Sequence, residues 1–198
     1  MKLRTCNHIL SVLVCLLGLY IMITPFLPQF AYLLRDKSPK ASIPYAGSLA
    51  QDAGINDANP TPQENRIVIP SIQLNEPIIE SDSISAIKDG GTWRRPRSSE
   101  PAKDGNTVIV GHRYYGSNVS TFYHLDKVLP GQKLAIYWEG VEHVYEVTET
   151  KTVEASQVEI EAPTTEEQVT LYTCTPIWTA KQRLVVIAKP TKKEDNRP

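Results

Sequence analysis

The chain begins with a long apolar run that follows two basic residues. Lys2 and Arg4 precede a nearly unbroken series of apolar residues from Ile9 to Ile23, which predicts a helix. A helix over residues 9–24 would span roughly 24 Å, short of the apolar core of a bilayer at about 30 Å, and continuation towards Leu34 makes up the difference. We therefore predict an uncleaved membrane-spanning anchor over residues 1–35 with a cytoplasmic N-terminus. A cleaved signal peptide is the weaker alternative, because no small-residue cleavage site directly follows the run.

The segments on either side of the central part of the chain lack a sustained apolar period. Residues 36–65 are dominated by Ser, Pro, Gly, Ala, Asn and Gln, so they cannot bury enough apolar surface to order themselves. We predict a flexible linker over residues 36–65 and a charged, frayed tail over residues 191–198.

Between the linker and the tail, short runs of β-branched and aromatic residues alternate with turns that contain Gly and Pro. This pattern is typical of a mainly β domain. The predicted strands are 66–70, 72–79, 106–112, 133–139, 143–149, 169–174 and 183–187. One helical turn is predicted over Ser83–Lys88, a short helix over Ser120–Val128, and a long connection over Thr150–Gln168. Many short strands with little helix predict a closed or nearly closed, antiparallel-rich β barrel over residues 66–190.

Composition argues against nucleic-acid binding and limits the roles that the cysteines can have. The formal net charge is −1 and no Lys/Arg-rich block occurs, so nothing in the sequence favours nucleic-acid binding. Cys6 and Cys15 lie in or beside the apolar run, which leaves Cys174 without a disulfide partner in the predicted barrel. CxxC pairs and His/Cys clusters at ligand spacing are absent, and the scattered acidic residues are typical of a solvated face. We therefore predict no metal and no cofactor.

Three residues at predicted strand ends carry the candidate chemistry. Cys174 ends one strand, Arg183 begins the next after a short link, and His112 ends the buried-type strand 106–112. Positive charge beside a thiol favours the thiolate, which is the nucleophilic form of cysteine. Acyl transfer also needs a proton donor for the leaving amine and positive or N–H groups facing the oxyanion. We assign these roles to Cys174, His112 and Arg183 in that order, because arginine stays protonated and cannot serve as the acid.

The motifs around these residues are more specific than the residues themselves, since a single cysteine is most often a small packing residue. Thr170-Leu171-Tyr172-Thr173-Cys174, the upstream Gly111-His112-Arg113 and the arginine that opens the final aliphatic strand resemble the sortases. Sortases are membrane-anchored cysteine transpeptidases of Gram-positive-type bacterial surfaces. The resemblance extends over Arg66–Pro190 and implies an eight-stranded β barrel with one or two short helices, in which the three residues meet at one end of a groove.

The resemblance also implies a reaction and its partners. Cys174 would attack the carbonyl after the threonine of an LPxTG-like sorting signal on a surface protein and form a thioacyl enzyme. His112 would protonate the departing amine and then deprotonate an incoming amine from a peptidoglycan precursor or a pilin subunit. Arg183 would hold the substrate backbone and stabilise the oxyanion, while Thr173 and Trp178 would contact the substrate.

The same resemblance implies a location and a subclass. The enzyme would sit in the cell membrane on a single N-terminal pass, with its catalytic domain outside the cytoplasm. No Asp-Pro-aromatic tripeptide occurs, although pilin-polymerising sortases commonly carry one in a lid. The segments around Cys174-Thr175-Pro176 and Ala180–Arg183 are more similar to the groups called class D or E.

Two other functions remain open from the residues alone. One is a cysteine peptidase that releases surface peptides because water outcompetes the amine. The other is a non-catalytic barrel that binds peptides. His124 and His143 are expected to be surface or partly packed residues rather than catalytic ones.

Overall fold

The computed structural model describes residues 2–27, 30, 61–115 and 118–191. The chain divides into two units, Met1–Asp36 and Lys37–Pro198. Most of the predicted linker, and the predicted tail after Thr191, lie outside the described residues. Both therefore stay predictions.

The first unit contains one long helix, α1 (Lys2–Ile23), followed by a 3-10 turn over Thr24–Phe26. The predicted helix is confirmed, and it begins several residues earlier than the apolar run itself. Within the described part of the chain, no helix has both the length and the apolar character needed to traverse a bilayer. Of the continuation towards Leu34 on which the predicted anchor depends, residues 28, 29 and 31–34 lie outside the described residues.

The second unit is built from short strands. The described residues form, in chain order, β1 (Arg66–Ile69), β2 (Leu74–Glu80), β3 (Thr92–Arg94), β4 (Asn106–Val110), β5 (Tyr114–Tyr115), β6 (Asn118–Val119), β7 (Lys133–Trp138), β8 (Val141–Glu154), β9 (Gln168–Thr175) and β10 (Gln182–Pro190). Short 3-10 segments lie between some of them, over Pro70–Ile72, Ile84–Ile87, Leu125–Lys127 and Val158–Glu161.

Eight of these strands close into a barrel in the order β1-β2-β3-β4-β9-β10-β8-β7, and β7 pairs back with β1. Two neighbouring pairs, β2–β3 and β4–β9, are parallel, and the others are antiparallel. Closure leaves no unpaired barrel edge, which is the usual reason for many short strands to form a barrel rather than an open sheet. The predicted mainly β, eight-stranded barrel is confirmed. The strands β5 and β6 form a separate two-stranded hairpin.

The strands β4, β9 and β10 are packed on both faces, which explains their nearly continuous apolar sequences. Alternate residues such as Ile109, Leu171 and Val186 belong to the main core inside the barrel. On the opposite face, Val108 and Val110 form a second cluster with residues from neighbouring segments. The outer face of this part of the barrel is therefore partly apolar, and the candidate chemistry lies at its end.

The predicted helix over Ser120–Val128 is wrong. The structure forms consecutive turns there, with a 3-10 segment only at Leu125–Lys127. Phe122, Leu125 and Val128 are nevertheless fully buried, so the apolar spacing marks a buried face correctly. In place of an α-helix, the segment closes consecutive turns with i→i−3 bonds, from the N–H of Leu125 to the Phe122 carbonyl oxygen and from the N–H of Val128 to the Leu125 carbonyl oxygen, both at 3.2 Å. The N–H of Phe122 donates to the carbonyl oxygen of His112 at 2.9 Å, a tertiary bond that holds these turns against the segment that carries His112.

The connection predicted over Thr150–Gln168 also begins later than expected. The strand β8 continues to Glu154, because residues 150–154 pair with β10, ending with Glu154 opposite Gln182. Only residues 155–167 connect β8 to β9. The predicted turn over Ser83–Lys88 is a 3-10 segment in which the hydroxyl of Ser83 accepts a bond from the N–H of Ser85.

The backbone at Gly111 lies directly against the ring of Phe122. A Cβ at this position would approach Cδ2 of that ring to 2.6 Å, a distance that real Cβ atoms do not reach. The absence of a side chain at Gly111 therefore lets the turn after Ser120 pack against the strand that leads to His112.

We expect Gly111→Ala to destabilise the protein by about 1–3 kcal/mol, because an extra methyl group would be forced into a packed contact. Urea unfolding of the variant and of the original protein measures this difference. The same substitution should cost much less in a Phe122→Ala background, where the opposing ring atoms are gone. Equal costs in both backgrounds would show that the contact with the ring is not the cause.

Candidate active site

The strand β9 places Cys174 directly beside Arg183. The two residues are opposite each other in the antiparallel pairing of β9 with β10. Side chains that are directly opposite in such a pair project from the same face of the sheet. Both residues are partly exposed, and Cys174 is a free thiol. The prediction that the short link after Cys174 returns the chain to bring Arg183 close is confirmed.

The parallel pairing of β4 with β9 brings His112 to the other side of Cys174. Val110 is the last paired residue of β4 and lies opposite Tyr172. The contact continues one residue further, since the N–H of Gly111 donates to the Tyr172 carbonyl oxygen at 3.3 Å. Two residues after Val110, His112 is level with Cys174. Because side chains alternate with a period of two, both project from the same face.

His112, Cys174 and Arg183 thus lie side by side across three neighbouring strands, on the outer face of the barrel and near its rim. The sulfur of Cys174 is not enclosed in the apolar core. The residues of β9 that face the core are those that alternate with Cys174 along the strand, Val169, Leu171 and Thr173. A thiol, an imidazole and a guanidinium that share one accessible face have the composition needed for cysteine-based acyl transfer.

Burial of the His112 ring lowers the pKa of its imidazole below the ordinary value. The ring of Tyr115, on the β5–β6 hairpin, lies against it with 4.7 Å between ring centroids and 31° between ring planes. Near neutral pH His112 is therefore mainly uncharged. Under these conditions the guanidinium of Arg183, directly across the strand pair, still supplies positive charge next to Cys174.

The guanidinium of Arg183 is held by the link between β9 and β10. Its Nη1 donates to the carbonyl oxygens of Ala180 and Gln182, each at 3.0 Å. Among the described residues, no acceptor is bonded to Nε or Nη2 of Arg183. These bonds fix the orientation of the planar group and leave donors that can face a substrate.

The two predicted substrate-binding residues occupy very different positions. The side chain of Thr173 is only 1% exposed, and its hydroxyl donates to the Gly111 carbonyl oxygen at 2.7 Å. This side chain faces inward and does not offer a surface to a peptide, so the predicted contact does not fit its position. Trp178 is 73% exposed and packs edge-on against Tyr114, with 5.0 Å between ring centroids.

A groove of about 340 Å³ runs along the same outer face. Its lining includes Lys151 and Val153 on β8, Ile187 on β10, and Ile160 and Pro163 on the segment between β8 and β9. The groove approaches the reactive end of the barrel, because Val153 is paired with Arg183, which is paired with Cys174.

The segment between β8 and β9, which forms one wall of this groove, is fastened to the barrel by partly buried polar contacts. Tyr172, two residues before Cys174, donates its hydroxyl to Glu161 at 2.5 Å, and Glu161 also pairs with Arg95 at 2.8 Å. Burial, together with the bond to Glu161, raises the pKa of the Tyr172 hydroxyl. The amide of Asn106 donates to the carbonyl oxygens of Ile160 and Ala162, both at 3.1 Å. Hydrogen bonds from β4 and β9 therefore hold three consecutive residues of the wall, Ile160, Glu161 and Ala162.

Sequence reasoning missed several residues around the site. Arg113 and Thr175 bond to each other beside the reacting pair, and Tyr115 lies against His112. The only signal for Arg113 and Thr175 is that each follows a candidate catalytic residue directly. Nothing in the local sequence indicates that they touch, because they are 62 positions apart.

The described part of the chain contains no group of three or more His, Cys, Asp or Glu side chains placed to hold a metal ion. The expectation that the protein uses no metal and no cofactor stays a prediction.

The fold and the site together define a β barrel with a candidate cysteine acyl-transfer site at its rim. A family model for the Sortase domain matches residues 67–191. The chain therefore belongs to the sortase family.

Individual relatives agree with this assignment. Sortase A of Listeria monocytogenes is 29% identical over 130 residues, which are 65% of this chain and 56% of that protein. The chain thus spans just over half the length of this curated relative. Sortase A from Corynebacterium diphtheriae has 27% identity and a TM-score of 0.61, covering 76% of this chain and 70% of that one. Sortase C1 from Streptococcus agalactiae has 28% identity and a TM-score of 0.59, covering 65% and 69%.

We expect the pKa of His112 to lie below about 6.5, its ordinary value. NMR titration of the histidine ring protons, assigned with a His112→Gln variant, measures this pKa. Because the unfolded chain binds the proton more readily, the contribution of His112 to folding is complete above about pH 6.5 and is lost as the pH falls towards the folded-state pKa.

The free energy of unfolding should therefore decrease on acidification below about pH 6.5, and less steeply in His112→Gln. An inflection for His112 at or above its ordinary value would contradict the burial argument.

Proposed function

We propose that this protein is a cysteine transpeptidase that cleaves an LPxTG-like sorting signal and joins the resulting acyl group to an amine. The single observation that carries the proposal is the alignment of His112, Cys174 and Arg183 on one accessible face of the barrel. Membership of the sortase family supports the same reaction class. A groove beside the three residues supports an extended peptide as substrate.

In the first half of the reaction, the sulfur of Cys174 attacks the carbonyl carbon that follows the threonine of the signal. The thiol proton passes to the neutral imidazole of His112 as the S–C bond forms. The carbonyl oxygen becomes an oxyanion beside the guanidinium of Arg183. The C–N bond then breaks, the departing amine takes the proton from His112, and a thioester remains on Cys174.

In the second half, an amine enters on the same face and attacks the thioester. His112 accepts a proton from this amine, a new amide bond forms, and the proton returns to the sulfur as it leaves. The lowered pKa of His112 suits this half-reaction, because an imidazole that is neutral at the working pH can accept a proton. We propose an amine from a peptidoglycan precursor or a pilin subunit.

Arg183 transfers no proton; its guanidinium binds the substrate and stabilises negative charge on it. Its Nη1 bonds to Ala180 and Gln182 hold the planar group, and its other N–H donors can bind the substrate backbone and the developing oxyanion. Lysine at this position would keep the charge but could not supply a fork of donors in fixed orientation.

The groove supports recognition of a peptide that carries apolar side chains. Val153, Ile160, Pro163 and Ile187 contribute apolar lining, and Lys151 contributes a polar edge. We also propose a substrate contact for Trp178, because its ring is exposed on the link that follows Cys174.

We further propose that the barrel is held at the cell membrane by its N-terminal segment, with the catalytic domain outside the cytoplasm. The apolar side chains of α1, such as Leu13, Leu17 and Met22, are more than half exposed within their unit. Fractionation of cells that express the full chain, followed by protease treatment of intact protoplasts, tests this location. Recovery in the soluble fraction, or protection from the protease, would contradict it. A class D or E assignment also stays a proposal, since the structural relatives include sortases named A and C.

The central test is incubation of the purified full-length chain with a sorting-signal peptide, followed by intact-mass detection of the thioacyl adduct. Cys174→Ala should form no adduct, because it lacks the nucleophile. Arg183→Lys should lower kcat/KM by roughly a hundredfold, because oriented donors at the oxyanion are lost. Near-normal turnover by Arg183→Lys would refute the assigned role.

The same assay distinguishes transpeptidation from the two alternatives. With an added amine acceptor, a transpeptidase yields ligated product, whereas a cysteine peptidase yields only the hydrolysed peptide. A non-catalytic barrel binds the peptide without forming an adduct, and alkylation of Cys174 then proceeds with the kinetics of an ordinary thiol. Screening a peptide library varied at the five positions of the signal, with mass detection of ligated product, would identify the preferred sequence.

A further inference from the structure

The two motifs that carry the candidate site are bonded to each other on both sides of the reacting pair. One motif is Gly111-His112-Arg113, and the other is Thr173-Cys174-Thr175. The hydroxyl of Thr173 donates to the Gly111 carbonyl oxygen at 2.7 Å. Nη1 of Arg113 donates to the Thr175 hydroxyl oxygen at 2.8 Å. His112 and Cys174 are the middle residues, so one bond precedes the pair and the other follows it.

The second bond is important because the regular strand pairing stops before His112. The strand β4 ends at Val110, and the last backbone bond to β9 comes from the N–H of Gly111. His112 is therefore not held by the ladder that positions Cys174. Contacts outside this ladder must therefore set the position of its ring relative to the sulfur.

The side chain of Arg113 is itself held rigidly. It is only 11% exposed, and its Nη2 pairs with Asp126 Oδ1 at 3.2 Å. Its Nε donates to the Tyr123 carbonyl oxygen at 3.2 Å. Three nitrogen atoms of one planar group are thus bonded to three different partners, which leaves little freedom in its orientation.

The turn that holds the Arg113 side chain also holds the backbone on both sides of it. The N–H of Phe122 donates to the His112 carbonyl oxygen at 2.9 Å, and the N–H of Ser120 donates to the Arg113 carbonyl oxygen at 3.3 Å. Displacement of Arg113 would consequently move His112, because the two adjacent residues are fastened to the same turn.

We propose that Arg113 is a positioning residue that sets the geometry between the His112 ring and the Cys174 sulfur by fastening the chain after His112 to Thr175. Arg113 does not touch the reacting atoms and acts through His112. This inference rests on the proposed function only in requiring that His112 and Cys174 react as a pair.

The discriminating variants change Thr175, because it carries no charge and accepts the bond from Arg113. Thr175→Val removes the acceptor oxygen and keeps the branched shape, whereas Thr175→Ser keeps the oxygen. Thr191→Val is a matched control just after β10, where the threonine hydroxyl donates to the Val144 carbonyl oxygen at 3.1 Å, at the end of the strand opposite to Arg183. Arg113→Lys is a second probe, since it keeps a positive charge near Asp126 but cannot reach three partners at once.

Two measurements on the full-length chain are compared. The first is the pH dependence of Cys174 alkylation by iodoacetamide, followed by mass analysis of the peptide that contains Cys174, with His112→Ala as reference. The second is kcat and KM for ligation of a sorting-signal peptide. Thermal unfolding confirms that each variant is folded.

We expect Thr175→Val and Arg113→Lys to shift the alkylation profile towards that of His112→Ala. Their kcat should fall roughly ten- to a hundredfold with little change in KM, because a misplacement of about 1 Å between reacting groups has costs of this size. Thr175→Ser should restore both the profile and most of the kcat, and Thr191→Val should leave both unchanged.

The inference is overturned if Thr175→Val matches the original protein in both measurements while folded. If Thr175→Val does not fold, Arg113→Lys decides the question by the same two measurements. The inference is also overturned if His112→Ala leaves the alkylation profile unchanged, since His112 and Cys174 would then not interact. A protein that shows the expected alkylation profiles but forms no thioacyl adduct would contradict the proposed function and leave the positioning role supported.

Discussion

The structure of the site depends on the pairing of one strand, β9, with two different neighbours. The parallel pairing with β4 brings His112 level with Cys174, and the antiparallel pairing with β10 sets Arg183 opposite it. A slip of one residue in either pairing would turn a side chain of the site into the barrel core. Register in these strands is strongly specified, because both faces are packed and the inward residues are fully buried. The same burial that stabilises the barrel therefore aligns the candidate catalytic residues.

The register also explains why the site and the groove share one face. Outward residues of β9, such as Tyr172, support the wall of the groove, while inward residues such as Thr173 bond to the strand that carries His112. Two side chains next to each other on β9 thus have separate roles: Tyr172 supports the groove wall, and Thr173 holds the strand that carries His112. The wall is held by hydrogen bonds to Tyr172 and Asn106, whose donors are satisfied in places that water does not reach freely.

The charges at the site follow from how deeply each of its residues is buried. His112 is partly buried against Tyr115, and burial lowers the pKa of its imidazole, whereas Arg183 supplies a guanidinium cation. A neutral base and a permanent cation on either side of a thiol divide the work of proton transfer and charge stabilisation between two residues. The guanidinium of Arg183 is held by backbone carbonyl oxygens, and no carboxylate among the described residues forms an ion pair with it.

The sequence alone indicated seven of the eight barrel strands and the three residues that the structure aligns on one face, because β-branched runs report burial and the motifs lie at strand ends. It missed β3 (Thr92–Arg94), which is only three residues long. It was misleading at Ser120–Val128, where the helical spacing marks buried residues that lie on consecutive turns, held by local i→i−3 bonds and by the tertiary bond from Phe122 to His112. It could not place Thr173 inward, since the inward or outward face of a strand depends on which neighbours it pairs with. Nor could it join Arg113 to Thr175 or Tyr172 to Glu161. Those contacts exist only because barrel closure and the register of β9 bring distant segments together, and no local sequence pattern predicts either of them.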